Sequence, residues 1–146
     1  MPLLEPDATS SAYVLTQAEV GKTVTVTASY TDGHGTAESQ TSSAITAVAN
    51  VNDAPTGSVT ISGTPTQGQT LTAANTLADV DGLGTISYQW KANGTAISGA
   101  SSTTYTLTQA EVGKLITVTA SYTDQVGKAE AVTSSATAAV LNVNDL

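Results

Sequence analysis

The side chains in this sequence with chemistry to offer are its carboxylates. Twelve Asp and Glu face four Lys and no Arg, giving a net charge of −8 over 146 residues. Asp79-Val80-Asp81 lies in the string ADVDGLG, and Asp53 follows Asn52 in NVNDAP. Asp32 and Asp124 close matching YTD strings, and Glu19 and Glu111 end matching LTQAE strings. Carboxylates gathered without basic partners suit a divalent cation, above all Ca²⁺, which takes six to eight oxygen ligands. The same residues also have a plainer reading. Asp-x-Asp-Gly is ordinary turn chemistry, Asp32 and Asp124 can simply start hairpins, and Glu19 and Glu111 can be exposed turn residues.

Catalysis has little to stand on, and no enzyme is expected. The single histidine, His34, falls in the hairpin tip DGHG, and its counterpart in the second copy is Val126. A nucleophile–base pair needs a base held by the fold. The acids stand in acid-crowded loops rather than in an apolar cleft that would split their pKa values. No glycine-rich phosphate loop opens a helix. The absence of cysteine excludes disulfides and thiolate metal sites. The acidic balance argues against nucleic-acid partners, which need a basic footprint. No apolar run is long enough to span a membrane, and no signal-peptide pattern is present.

The elements that must position these acids repeat. Residues 13–32 read YVLTQAEVGKTVTVTASYTD, and residues 105–124 read YTLTQAEVGKLITVTASYTD. The offset of 92 residues never slips, and 32 of the 46 positions of residues 8–53 recur in 100–145. A fixed period of this size sets the architecture. Residues 8–53 are the second half of one copy, and residues 54–146 are one complete copy. Residues 1–7 (MPLLEPD) stand outside the repeat as a leader or cut end. Residues 50–55 are the joint.

Period-two alternation dominates. Residues 13–16 read as a short strand, and residues 17–21 as a tight turn. Val24, Val26, Ala28 and Tyr30 share one face of a strand whose other face is Thr and Ser. Asp32-Gly33 marks a hairpin, and residues 37–51 return with a bulge. In the complete copy, residues 58–62, 69–73 and 86–90 are further strands, and Asn93-Gly94 is a strong hairpin signal. About seven short strands with turns every eight to twelve residues indicate an all-β, Greek-key, immunoglobulin-like or cadherin-like β-sandwich. Trp90, Tyr30 and Tyr122 are in core phase.

Four landmarks resemble, in order, the cadherin-like and bacterial immunoglobulin-like repeats of large secreted adhesins of the RTX type. LTQAE, ending at Glu19 and again at Glu111, is similar to the cadherin stretch that ends in a calcium-binding Glu. VTASYTD, ending at Asp32 and Asp124, resembles the strand closing on that family's Asp. Residues 50–55 resemble its Asp-x-Asn-Asp-Asn-x-Pro linker, and Asp79-Val80-Asp81 its Asp-x-Asp loop. Asn50 stands where that linker has its first Asp, Ala54 replaces its second Asn, and one residue is missing before Pro55. The resemblance therefore implies a reduced calcium site.

With strands labelled A, B, C, C′, E, F and G, the B–C loop, the F–G loop and the start of strand A share one end of a sandwich. The E–F turn and the exit of strand G share the other. At the joint, Glu19 of the upstream copy is expected to approach Asp79, Asp81 and Asp124, with Asn52 and Asp53 between them. No lysine is expected in the loops concerned.

Residues 8–53 supply strands E, F and G but no A, B or C, leaving Val24, Val26, Ala28 and Tyr30 uncovered. Burying such side chains is worth on the order of 1–3 kcal/mol each. Two E–F–G halves thus compete for residues 56–100, and a domain-swapped homodimer or homo-oligomer is one expected outcome. The resemblance implies a spacer or cell-adhesion module of a long, repetitive, secreted bacterial surface protein, such as a biofilm adhesin. Its partners would be neighbouring repeats, with Ca²⁺ stiffening the joint. The alternative is a carbohydrate- or protein-ligand-binding β-sandwich module, which needs exposed aromatic residues.

Overall fold

Sequences that alternate with period two pay for their backbone polar groups only by pairing as strands, and that is what the chain does. The computed structural model describes residues 8–144, so the reading of residues 1–7 lies outside the described residues. The chain forms two units, Met1–Val51 and Asn52–Leu146. The joint divides after Val51, so Asn52 and Asp53 belong to the second unit.

In the first unit, a 3-10 turn (Gln17–Glu19) precedes a hairpin of β1 (Thr27–Thr31) and β2 (Ala37–Thr41). The register is antiparallel, with Thr27 opposite Thr41 and Thr31 opposite Ala37. Beyond β2 the backbone stays paired but irregular. Ser42 N–H donates to Val26 O and Ile45 N–H to Val24 O. Three residues advance against two, which is the bulge expected from the sequence. Residues 13–16 do not form a strand, contrary to expectation. The reason lies in their counterpart, β7 (Thr104–Thr106), which is a strand because β4 (Thr70–Asn75) pairs with it. Among the described residues the first unit contains no equivalent of β4.

The second unit adds β3 (Val59–Ser62), β5 (Ser87–Ala92), β6 (Thr95–Ala96), β8 (Ile116–Thr123) and β9 (Ala129–Thr133), with a second 3-10 turn at Gln109–Glu111. Two sheets result, ordered β3-β4-β7 and β6-β5-β8-β9, with every ladder antiparallel. The chain is thus all-β. The β5–β6 loop is Asn93-Gly94, both with positive φ (49° and 81°), as a two-residue hairpin of this kind requires.

Residues 56–100 are engaged with residues downstream of them: β4 pairs with β7, and β5 with β8. The core between the sheets is built from both halves. Val59, Leu71, Leu77 and Trp90 meet Leu107, Ile116, Val118, Tyr122 and Val140. The Trp90 indole donates to Ser102 O at 2.8 Å, so its one polar atom is satisfied inside the core.

Candidate metal centre

The loop ADVDGLG is folded by its own acids. Asp79 Oδ1 accepts the Asp81 N–H at 2.8 Å, and Asp79 O accepts the Gly82 N–H at 3.1 Å. Gly82 has φ +96°, a conformation that side chains with a Cβ rarely adopt. Asp81 is buried, and its Oδ2 accepts the Asp53 N–H at 2.7 Å. The start of the unit is thereby tied to the loop between β4 and β5. The β8–β9 hairpin is brought in by Gln125, whose N–H donates to Asp81 O. Asn52 reaches the same hairpin, donating from Nδ2 to Glu130 Oε1 at 2.8 Å.

Asp124 starts this hairpin and does more. Its Oδ1 accepts from Val126 N–H at 2.9 Å and Lys128 N–H at 2.8 Å. Its Oδ2 is buried and has no hydrogen-bond partner, and the residue is only 5% exposed. The plain turn reading therefore accounts for one oxygen and leaves the other unexplained. A buried carboxylate oxygen without a partner is costly.

Asp124 has acidic neighbours. Ligand atoms of Asp79, Asp124 and Glu130 lie within 4.8 Å of one another. Two oxygens bound to one Ca²⁺ at about 2.4 Å lie at most about 4.8 Å apart, so the spacing fits a shared cation. Two carboxylate charges about 5 Å apart repel by roughly 3 kcal/mol at an effective dielectric of about 20. Lys128 does lie in the β8–β9 loop, against the expectation of no lysine there, but the contact it makes with Asp124 is through its backbone N–H.

Tyr122 completes the floor of the site. Its hydroxyl donates to Asp79 Oδ2 at 2.5 Å. Burial, then that hydrogen bond and the charges of Asp79, Glu130 and Asp124, hold the phenol well above its ordinary range. It stays a donor.

Of the six residues singled out from sequence, Asn52, Asp53, Asp79, Asp81 and Asp124 meet at one end of the second unit. Glu19 lies in the first unit, where its carboxylate folds its own turn. Its Oε2 accepts from Thr16 N–H and Thr16 Oγ1 at 2.8 Å each, and its Oε1 accepts from Tyr13 OH at 3.2 Å. Glu111 repeats this arrangement with Thr108 and Tyr105. Both glutamates are buried, which corrects the reading of them as exposed turn residues. Glu130 was not anticipated, because it sits within β9 rather than in a loop. Its signal was the repeat, since Glu38 occupies the equivalent position.

No protein-family model, curated protein or solved structure matches the chain.

Proposed function

We propose that the chain is a spacer module of a long, repetitive, secreted surface protein, with Ca²⁺ bound at the joint end of each complete copy. The sheet order β3-β4-β7 over β6-β5-β8-β9 supports reading the second unit as a Greek-key, immunoglobulin-like sandwich. The 92-residue period supports a tandem, load-bearing role. No helix among the described residues is long and apolar enough to cross a membrane.

The observation that carries the cation reading is the buried, partnerless Oδ2 of Asp124, a residue of an acidic cluster. Asp79, Asp124 and Glu130 would hold the ion, with Asp81 and Asp53 bordering it. The ion would neutralise their mutual repulsion and tie the start of the unit to both loops.

Thermal unfolding followed by Trp90 fluorescence tests this. A ligand that binds only the folded state at about 100 times its Kd adds about 2.7 kcal/mol. In a domain of this size that is a rise in Tm on the order of 10 °C, reversed by chelator. Asp124→Asn keeps the oxygen that accepts from Val126 and Lys128 and replaces the orphaned one with a donor. It should weaken calcium binding at least about tenfold, or ~1.4 kcal/mol. Identical midpoints with calcium and with chelator would remove the cation and leave the spacer reading standing.

A further inference from the structure

Asn93-Gly94 closes the β5–β6 hairpin, and the residue after it is a threonine. Asn93-Gly94-Thr95 is the one Asn-x-Ser/Thr string in the 146 residues, since none of the other five asparagines has Ser or Thr two places on. That string, without proline at its centre, is the acceptor pattern for N-linked sugars, and it needs a surface loop. Asn93, Gly94, Thr95 and Ala96 are all exposed. A Cβ placed on Gly94 would meet nothing within 4 Å, so the space over the tip is open.

Turn chemistry explains only part of the string. Asn93 has φ 49°, a left-handed conformation that asparagine tolerates better than most residues. Its N–H donates to Leu115 O at 2.8 Å, and its Oδ1 accepts the Leu115 N–H at 2.9 Å. Those two bonds pin the tip to the residue that precedes β8. Among the described residues the side-chain Nδ2 makes no hydrogen bond, and neither does the Thr95 hydroxyl. The fold holds the amide by its oxygen. It leaves the nitrogen, and the hydroxyl two residues on, unused by the turn.

We propose that Asn93 is an acceptor for an N-linked sugar, delivered by a glycosyltransferase from a hexose activated as a diphosphate ester. Nδ2 attacks the anomeric carbon, and the N–C bond forms as the C–O bond to the diphosphate breaks. The diphosphate leaves with the electron pair, and one Nδ2 proton passes to solvent. The product is a secondary amide that keeps Oδ1 as acceptor for the Leu115 N–H, so the hairpin keeps its clamp. The register sets the tip at the opposite end of the unit from the acidic cluster. Ala92 pairs with Ile116 at the start of β8, whereas Asp124 follows its other end. A strand of that length extends about 26 Å. The assignment rests on neither the cation nor the spacer reading.

The folded, full chain is incubated with transferases that read Asn-x-Thr. One reaction supplies the hexose as a nucleotide diphosphate ester and another as a polyprenyl diphosphate ester. Mass spectrometry of the proteolysed product should find sugar on Asn93 alone, and the donor that delivers it names the source. Thr95→Ala should lose the sugar and Thr95→Ser should keep it. Asn93→Asp preserves the oxygen that Leu115 binds, so it should lose the sugar and leave the Trp90 melting profile unchanged. The glycosylated chain should melt no lower than the bare one, because Nδ2 carries no contact. A folded chain left unmodified by both donors, a sugar undiminished in Thr95→Ala, or a midpoint lowered by the sugar would overturn the proposal.

Discussion

Glu19 shows how much one carboxylate can be asked to do. The Thr16 backbone N–H, then the Thr16 hydroxyl, stabilise its charged form and hold its carboxyl below the ordinary range, with the Tyr13 hydroxyl helping. A folded-state pKa below the unfolded one gives stability that is present above the unfolded value, about 4.3, and is lost as pH falls through the folded value. Carboxyl NMR titration should therefore give Glu19 a midpoint below about 4.3. Thr16→Val, which removes the hydroxyl donor, should move it upward. An unmoved midpoint would show that the hydroxyl contributes nothing. The acid's type and place were legible in the string LTQAE, but its burial was not. Period-two and turn patterns do not reveal that a glutamate will turn inward to cap its own 3-10 turn. Asp124 was legible as a hairpin starter, and the structure gives that role to one oxygen while leaving the other buried without a hydrogen-bond partner.

Among the elements, the loop between β4 and β5 is the one that makes the site. Its contact with β8 is close enough to require glycine, since a Cβ at Gly84 would overlap Thr123 O. Gly84→Ala must push the loop away from β8, and overpacking of this kind costs about 1–3 kcal/mol. Because the same movement displaces Asp79 and Asp81 from Asp124 and Glu130, calcium affinity should fall together with stability. Denaturation followed by Trp90 fluorescence and a calcium titration measure the two. A stability loss without an affinity loss would separate the loop's position from the site. The strands around it were readable because their alternation is regular: Val59, Leu71 and Trp90, each an apolar position in an alternating run, are buried. Glu130 escaped because a charged residue at an otherwise unremarkable strand position looks like solvent-facing decoration. Its partner is set by the hairpin register, where it pairs with Tyr122.

At the scale of the whole molecule, the chain carries its own control for the difference between local code and tertiary context. β8 alternates between buried and half-buried positions from Ile116 to Tyr122, whereas β1, with the same TASYT text, is exposed throughout. Local sequence was enough to specify the hairpin in both copies, because turn residues and alternation are local. Burial was not specified, because it depends on residues 56–100, whose strands pair with β7 and β8 of the second unit. Local opening free energy follows buried apolar contact, so the two hairpins should differ in protection although their sequences match. Amides of residues 27–41 should exchange at least about a hundredfold faster than the equivalent amides of residues 119–133, read by hydrogen-exchange NMR. Equal protection would mean that the hairpin sequence alone sustains its structure and that the open face costs nothing.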